Sequence, residues 1–256
     1  MTNSPTLKDQ LIAVAREAGA AILTVYSRDF QATQKADRSP VTEADTAAEA
    51  LIVAALAELA PGVPVVAEEQ CASHGVPPTA PDRFFLVDPL DGTKEFIARN
   101  GEFTVNIALI EHGRPVLGVV YLPVPDTCYA GADGVAERLI GDDAAERIVA
   151  RRTPDDGLVM AISRSHADGE VARAKERGLN VTGTIVAGSS LKFCRLAEGA
   201  ADLYPRFGTT MEWDTAAGQA VLEAAGGTVE TVDGQPLRYG KAGFQNPHFI
   251  AYGRRG

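Results

Sequence analysis

Residues 83–96 read RFFLVDPLDGTKEF. The first half of this run is apolar and rich in aromatic and branched side chains, a composition that predicts a buried strand. We expect the strand to stop at Asp88-Pro89, because proline has no amide hydrogen to give to a central ladder. Asp88 and Asp91 then lie at the carboxyl end of the strand, where open α/β sheets commonly bind ligands.

The backbone after this strand suits an anion. Gly92 and Thr93 are predicted to open a short helical turn, whose first amides can bind a phosphate. Carboxylates for a cation and amides for an anion, so close in sequence, favour metal-assisted phosphate chemistry. Asp-Pro and Asp-Gly are also common in ordinary turns, so this run alone leaves a purely structural turn as an equal alternative.

The composition is that of a globular chain with a substantial core. The 256 residues are 45% hydrophobic and 23% charged, and no stretch is apolar enough to predict a membrane-spanning helix. The net charge of −10 disfavours nucleic-acid binding and suits phosphate handling only where divalent cations supply positive charge. The N-terminus does not resemble a signal peptide, so we expect a cytoplasmic protein and leave peripheral association with the inner membrane open. The three cysteines have no paired spacing, which predicts buried or idle thiols.

Two amphipathic helices are predicted upstream of the central run. One covers residues 6–26 and the other begins at Thr42 and ends before Pro61, with a polar loop over residues 31–40 between them. Asp45 lies in the first turn of the second helix, where helix capping alone would explain it. A short strand over residues 63–67 leads into Glu68-Glu69; on a strand these acids would point to opposite faces, so only one would face a shared site. Residues 71–82 are predicted to be a loop.

Antiparallel strands are predicted after the central run, over residues 103–111, 115–123 and 126–130. From residue 158 to residue 252, strand and helix patterns alternate. We therefore predict an α/β chain (α+β layered) with an N-terminal metal-binding part over 1–155 and a C-terminal α/β part over 156–256 that closes the active site.

The predicted element ends carry carboxylates, at Asp45, Glu68, Asp88, Asp91 and Asp214. An all-oxygen donor set favours magnesium or manganese over softer metals. Two carboxylates around the Pro-Leu turn can bind two ions, with Asp88 bridging and the Leu90 carbonyl adding an oxygen. Two such ions suit in-line displacement at phosphorus, one activating water and the other steadying the leaving oxygen. Asp214 opens a helix after Trp213, where it too could serve as an N-cap.

Three segments together resemble the motifs of the inositol monophosphatase superfamily: Glu68-Glu69, DPLDGT at 88–93 and WDTAAG at 213–218. The resemblance covers essentially the whole chain and implies the sugar-phosphatase fold of alternating helix and sheet layers. Within the superfamily the chain looks most like the CysQ-type 3'(2'),5'-bisphosphate nucleotidases, on the basis of five further segments. These are DPLDGTKEFI, GEFTVNIALIEHG (101–113), SRSHAD (163–168), GSSLKFC (188–194) and LYPRFG (203–208).

The resemblance implies roles for the motif residues. Glu68, Asp88 and the Leu90 carbonyl would hold one magnesium ion, and Asp88, Asp91 and Asp214 another, with a third ion or manganese as variants. Thr93 and Asp45 match the pair that orients and deprotonates the attacking water, assisted by Glu68. The amides of Gly92 and Thr93 would bind the scissile phosphate, and Glu68, Leu90, Asp91 and Asp214 would also lie against the substrate.

A bisphosphate carries a second anionic group that the metals do not reach, so a basic side chain has to hold it. His166, Ser189, Lys192 and Arg206 match nucleotide-contacting positions of the resembling family. Singly, each is better explained in another way, Lys192 and Arg206 as surface charges and His166 as a loop cap. Together, within the SRSH, GSSLK and YPR segments, we assign them to the ligand.

The function implied is magnesium-dependent, lithium-sensitive hydrolysis of adenosine 3',5'-bisphosphate, and of the corresponding phosphosulfate, in sulfate assimilation. The same chemistry on inositol monophosphate or fructose bisphosphate is the nearer alternative. A non-catalytic nucleotide or metal sensor is an alternative of another class. The substrate is the only partner predicted, and both a monomer and a homodimer are compatible with the resemblance.

Overall fold

The computed structural model describes residues 5–34, 40–154, 156–164 and 167–255. The helices are α1 (Leu7–Tyr26), α2 (Glu43–Leu59), α3 (Glu68–His74), α4 (Thr93–Ile97), α5 (Ala167–Glu176), α6 (Leu191–Ala197) and α7 (Ala216–Ala224). The strands are β1 (Ala32–Gln34), β2 (Pro40–Thr42), β3 (Val65–Ala67), β4 (Arg83–Asp91), β5 (Thr104–Glu111), β6 (Arg114–Leu122), β7 (Thr127–Ala132), β8 (Val135–Ile140), β9 (Glu146–Ile148), β10 (Leu158–Ile162), β11 (Val181–Val186), β12 (Leu203–Arg206), β13 (Thr228–Thr231) and β14 (Phe249–Tyr252).

Helices α1 and α2 form the first layer, and both begin with a capping box. Thr6 and Asp9 satisfy each other's backbone amides at the start of α1, and Thr42 and Asp45 do the same at the start of α2. The apolar side chains of α1 recur every three or four residues and are buried along one face. The two predicted helices are therefore confirmed, and the amino terminus of each is capped by residues close to it in sequence.

A seven-stranded sheet forms the second layer, in the order β3-β4-β5-β6-β7-β8-β9. Strand β3 is parallel to β4, and every later neighbour is antiparallel. Successive side chains of β4 enter different cores, since Phe85 and Val87 pack towards α1 and α2, whereas Phe84 and Leu86 pack on the opposite side. Being buried on both faces explains why this strand is continuously apolar.

A five-stranded sheet is built from the second half of the chain, in the order β11-β10-β12-β14-β13. Strand β10 is parallel to both β11 and β12, so the carboxyl ends of these three strands share one edge. Helices α6 and α7 lie between the two sheets, and α5 covers the outer face of the five-stranded sheet. The molecule is thus a sandwich of alternating helix and sheet layers, as predicted.

Helix α7 lies very close to the seven-stranded sheet because two glycines face it. Gly118 of β6 and Gly131 of β7 are paired in register, and a Cβ on Gly131 would be 2.6 Å from the Val221 Cα. This approach fixes the height of α7 above the sheet and so positions Asp214, which precedes the helix.

The structure corrects several local predictions. The loop predicted over residues 31–40 contributes β1 and β2, which pair with each other; residues 35–39 lie outside the described residues. Glu68-Glu69 begins α3 rather than ending a strand, so the predicted loop starts later, after His74. Strands β8 and β9 were not predicted, because their polar and half-buried sequences have little apolar alternation.

The division of the chain at residues 155 and 156 stays a prediction. Residues 65–148 supply the seven-stranded sheet and residues 158–252 the five-stranded sheet. Among the described residues, no helix has the length and hydrophobicity needed to cross a bilayer. Cys128 and Cys194 are buried thiols, and Cys71 is half-buried.

Candidate active site

The bulge in β4 shapes the centre of the site. Asp88 pairs with Asn106 and Asp91 with Thr104, so β4 holds one residue more than β5 between these pairs. Pro89 is tolerated here because a bulged position needs no ladder amide. The Leu90 amide instead donates to Asp88 Oδ1 at 3.0 Å. The prediction that β4 stops at Asp88 was therefore wrong, since the strand bends and continues to Asp91.

Asp45 and Thr93 meet at the next step of the chain. Gly92 has a left-handed φ of 93° and turns β4 directly into α4, which begins with Thr93. The Thr93 hydroxyl is 3.3 Å from Asp45 Oδ1, and 3.4 Å from the Leu90 carbonyl. Asp45 is 2% exposed, and its Oδ2 accepts from the Thr42 amide at 2.8 Å and hydroxyl at 2.7 Å. Capping therefore uses one oxygen of Asp45 and leaves the other facing Thr93.

Glu68 and Asp214 complete the acidic group from two other helix starts. The second and third amides of α3, at Glu69 and Gln70, donate to the Glu49 carboxylate at 2.7 and 2.9 Å. The Glu68 side chain, at the first position of α3, forms a hydrogen bond with Asp88. Asp214 accepts from the Met211 amide at 2.8 Å in the turn before α7, whose N-cap is Thr215.

These carboxylates perturb one another. Burial raises the pKa of Asp88 well above its usual range, and the charges of Glu68, Asp91 and Asp214 raise it further. Burial, followed by the charges of Asp91 and Glu68, likewise raises the pKa of Asp214. The pKa of Asp91 rises to about 6, mainly by burial, although the Lys192 ammonium opposes the rise. The group thus gathers acidic side chains whose charged forms disfavour one another, and Lys192 and Arg206 offset only part of this effect.

The donor set fits divalent magnesium. Four carboxylates and the Leu90 carbonyl are hard oxygen ligands, and their mutual repulsion is the kind of stress that a cation relieves. Within the described ranges, however, no three acidic, histidine or cysteine side chains already converge as a ready-made metal centre. The fit therefore rests on ligand chemistry and electrostatics.

Lys192 and Ser189 approach the acidic group from the second half of the chain. Lys192 is 4% exposed, its Nζ donates to the Ser189 carbonyl at 2.7 Å, and its pKa is lowered by burial and raised in part by Asp91. The Ser189 hydroxyl lies 2.8 Å from the Asp91 carbonyl and 3.0 Å from that of Glu102. The Ser190 amide donates to the Asp91 carboxylate.

Arg206 lies at the end of β12 and contributes a second cation. Its Nη2 donates to the Thr209 carbonyl at 3.2 Å, and its Nη1 is 3.9 Å from Glu170 Oε1. Its Nε is buried and, within the described chain, has no hydrogen-bond partner. His166, the remaining predicted nucleotide contact, lies outside the described residues.

A polar cluster behind the bulge was not assigned any role from the sequence. Ser190 Oγ donates to Asn106 Oδ1 at 2.6 Å and lies 2.9 Å from Thr104 Oγ1, and Asn106 Nδ2 donates to Thr104 at 3.4 Å. All three residues are buried, and they fasten the start of α6 to β5 through Asn106 and Thr104, which are the strand partners of Asp88 and Asp91. The sequence signal for this cluster is that Thr104 and Asn106 are polar within the largely apolar strand β5.

Known proteins resemble the chain over nearly its whole length. The profile of the inositol monophosphatase family matches residues 5–251. The 3'(2'),5'-bisphosphate nucleotidase CysQ of Shigella flexneri is 50% identical over 244 residues, which cover 94% of this chain and 97% of that protein. The crystal structure of CysQ from Bacteroides thetaiotaomicron superposes with a TM-score of 0.78 at 39% identity, covering 96% of this chain and 97% of that one. An inositol monophosphatase from Zymomonas mobilis gives a TM-score of 0.75 at 28% identity, covering 98% and 95%. The chain belongs to the inositol monophosphatase family.

Proposed function

We propose that the protein is a magnesium-dependent 3'(2'),5'-bisphosphate nucleotidase, which hydrolyses the 3'-phosphate of adenosine 3',5'-bisphosphate to give AMP and phosphate. The phosphosulfate analogue is expected to react in the same way. The likeness to proteins named 3'(2'),5'-bisphosphate nucleotidase CysQ supports this substrate class. The assignment of individual residues below is likewise part of the proposal.

The observation that carries the proposal is the pair of cations beside the acidic group. Lys192 is buried near Asp91, and its charge also interacts with that of Arg206, whose Nε lacks an acceptor in the described chain. The Arg206 charge is one of the effects that lower the pKa of Lys192, and two cations that repel each other in this way are stabilised by an anion bound between them. The second phosphate of a bisphosphate would supply an anionic acceptor that both cations can share. A substrate with a single phosphate, held at the metal ligands, would leave the charges of these two side chains without an anionic partner from the ligand.

Glu68, Asp88, Asp91, Asp214 and the Leu90 carbonyl would hold the magnesium ions. When bound, magnesium polarises the phosphoryl oxygens and makes a nearby water more acidic. The Gly92 and Thr93 amides begin α4 and are among the helix amides that have no intrahelical acceptor, so they are suited to the scissile phosphate.

Thr93 and Asp45 would orient and deprotonate the attacking water. As the water oxygen bonds to phosphorus, the bond from phosphorus to the ribose 3'-oxygen breaks and AMP leaves with that electron pair. The proton of the water passes to Thr93 Oγ1 while the hydroxyl proton of Thr93 moves to Asp45 Oδ1, 3.3 Å away. The capping bonds of Asp45 engage Oδ2, and Oδ1 is the oxygen that faces the Thr93 hydroxyl. The cap also fixes the carboxylate in place, so the receiving oxygen needs no reorganisation.

The experiment is parallel measurement of phosphate release, with magnesium, from adenosine 3',5'-bisphosphate, inositol 1-phosphate and fructose 1,6-bisphosphate. We expect the highest kcat/KM for the nucleotide. Lys192→Ala and Arg206→Ala should each raise the nucleotide KM by roughly ten- to a hundredfold, because each removes a charged hydrogen bond.

Each other outcome points elsewhere. Preference for a sugar phosphate would reject the nucleotide assignment while retaining the phosphatase site. Release from none of the substrates would favour a sensor without catalytic activity, which is otherwise disfavoured because the proposed metal and water residues are all present.

A further inference from the structure

Glu102 contacts both loops that lead to the second-half cations. It lies between α4 and β5, and one carboxylate oxygen accepts from Arg164 Nη2 at 2.8 Å. The other oxygen accepts from the Gly188 amide at 3.1 Å, and the Glu102 carbonyl lies 3.0 Å from Ser189 Oγ. One residue beside the seven-stranded sheet therefore holds the segments that follow β10 and β11.

The first branch from Glu102 leads to Lys192. The Lys192 ammonium donates to the Ser189 carbonyl at 2.7 Å, so its position follows that of the turn that Glu102 holds. The two segments touch closely at Gly188, where a Cβ would be 2.7 Å from the Glu102 carbonyl oxygen. Glycine at this position is what allows the contact to form.

The second branch from Glu102 leads to Arg206. Arg164 follows Ser163, whose amide donates to Glu170 Oε2 at 3.2 Å. The other oxygen of Glu170 is 3.9 Å from Arg206 Nη1. Both cations are therefore connected to Glu102 through a short series of contacts, one through the turn after β11 and the other through the end of β10.

The Glu102–Arg164 pair contributes little to stability by itself. The Arg164 side chain is 54% exposed and that of Glu102 is 27% exposed. Ion pairs this accessible typically contribute about 0.2–1 kcal/mol. The position of the pair is more informative than its energy, because Glu102 joins the segment after β10 to the segment after β11, and these segments lead to Arg206 and Lys192.

We propose that Glu102 is a positioning residue that sets the spacing between Lys192 and Arg206 and so favours substrates with a second phosphate. The inference rests on the proposed function and deepens it. The Glu102 carboxylate bonds to Arg164 and to the Gly188 amide, and we therefore infer that it acts on the substrate through the two loops.

The test compares wild type with Glu102→Ala, Arg164→Ala and the double variant, using adenosine 3',5'-bisphosphate as substrate. Inorganic phosphate serves as a competitive inhibitor that reports the scissile-phosphate site. We expect Glu102→Ala to raise the bisphosphate KM roughly three- to tenfold, with kcat and the phosphate Ki changed less than about twofold. Arg164→Ala should raise KM by a smaller factor, and the double variant should resemble Glu102→Ala because both act through one network.

Glu111→Ala is the matched control. Glu111, the last residue of β5, forms an ion pair with Arg83, the first residue of β4, at 3.0 Å. The two side chains are 37% and 55% exposed, so this Glu–Arg pair is about as accessible as the Glu102–Arg164 pair. This variant should leave all three kinetic constants unchanged. If the wild type hydrolyses the bisphosphate normally, two results for Glu102→Ala would overturn this inference alone. One is an unchanged KM, and the other is a KM and a phosphate Ki that rise together. A wild type that does not hydrolyse the bisphosphate would overturn the proposed function and the inference with it.

Discussion

Asp45 combines a structural and a proposed chemical role in one side chain. Its Oδ2 closes the capping box of α2, and its Oδ1 faces Thr93 at 3.3 Å. The capping role was foreseen from the local sequence, since a Thr-x-x-Asp pattern before an apolar run predicts it. The contact with Thr93 follows from long-range packing, so only the family resemblance suggested it.

Replacing Asp45 by asparagine should separate the two roles. An asparagine carbonyl can still accept a capping bond, but the side chain cannot take up a proton from Thr93. We therefore expect kcat for phosphate release to fall on the order of 10²–10⁴-fold, whereas the free energy of unfolding falls by only about 1 kcal/mol.

Asp9→Asn is the control for this prediction, because Thr6 and Asp9 form the same capping box at the start of α1. Asp9→Asn should lose a similar stability in urea unfolding and keep the wild-type kcat. If Asp45→Asn also kept the wild-type kcat, the proposed proton path would be wrong.

At the scale of elements, the chain departs from the sequence-based prediction where tertiary structure overrides local rules. Proline was expected to end β4, yet the bulge at Pro89-Leu90 removes the need for its amide and carries the strand on to Asp91. Glu68-Glu69 was expected on a strand, yet Glu49 caps those amides from α2 and allows α3 to form. The partners that decide both cases, β5 and Glu49, are distant in sequence, so local pattern could not reveal them.

The junction between β4 and α4 depends on a glycine. Gly92 has a φ of 93°, and a Cβ placed there would collide with Ser189 Oγ. Gly92→Ala should therefore lower the free energy of unfolding by about 2 kcal/mol or more and reduce kcat/KM strongly, because the Gly92 and Thr93 amides would shift.

Gly62→Ala isolates the backbone cost in that experiment. Gly62 has a φ of 84°, and a Cβ added there would meet no residue of the described chain within 4 Å apart from its sequence neighbours. This variant should lose about 1 kcal/mol of stability and keep full activity. Equal activity of Gly92→Ala and Gly62→Ala would argue against a role for the Gly92 turn in phosphate binding.

For the whole molecule, fold class and layering could be predicted because apolar periodicity and the order of elements survive in the sequence. The charges of Glu68 and Asp214 act on Asp88 although the three residues come from α3, β4 and the turn before α7. The sequence suggested this grouping through carboxylates at predicted element ends, and the family resemblance added the role of each. Helix α7 lies close to the seven-stranded sheet because Gly118 and Gly131 have no side chain there. Residue spacing along the sequence does not reveal this packing, so it could not predict where α7 places Asp214. The link from Glu102 to Arg164 and Gly188 joins three loops and had no local signal.

The acidic group gives the metal-free protein a characteristic pH dependence. The pKa of Asp91 is about 6 in the folded chain against 3.8 ordinarily, and the pKa values of Asp88 and Asp214 are also raised. The folded state therefore binds protons that the unfolded state releases in this range. Without metal, the free energy of unfolding should rise as pH falls through about 6, and it should fall as pH rises through the same value.

The most direct test of the carboxylate group as a magnesium site is the melting temperature across this pH range, with chelator and with magnesium at matched ionic strength. We predict a higher melting temperature with magnesium at neutral pH, and a difference that shrinks as pH falls and protons compete for the ligands. Asp88→Asn should lose most of the magnesium effect. The same melting temperature with and without magnesium at neutral pH, or an undiminished rise in Asp88→Asn, would contradict the account.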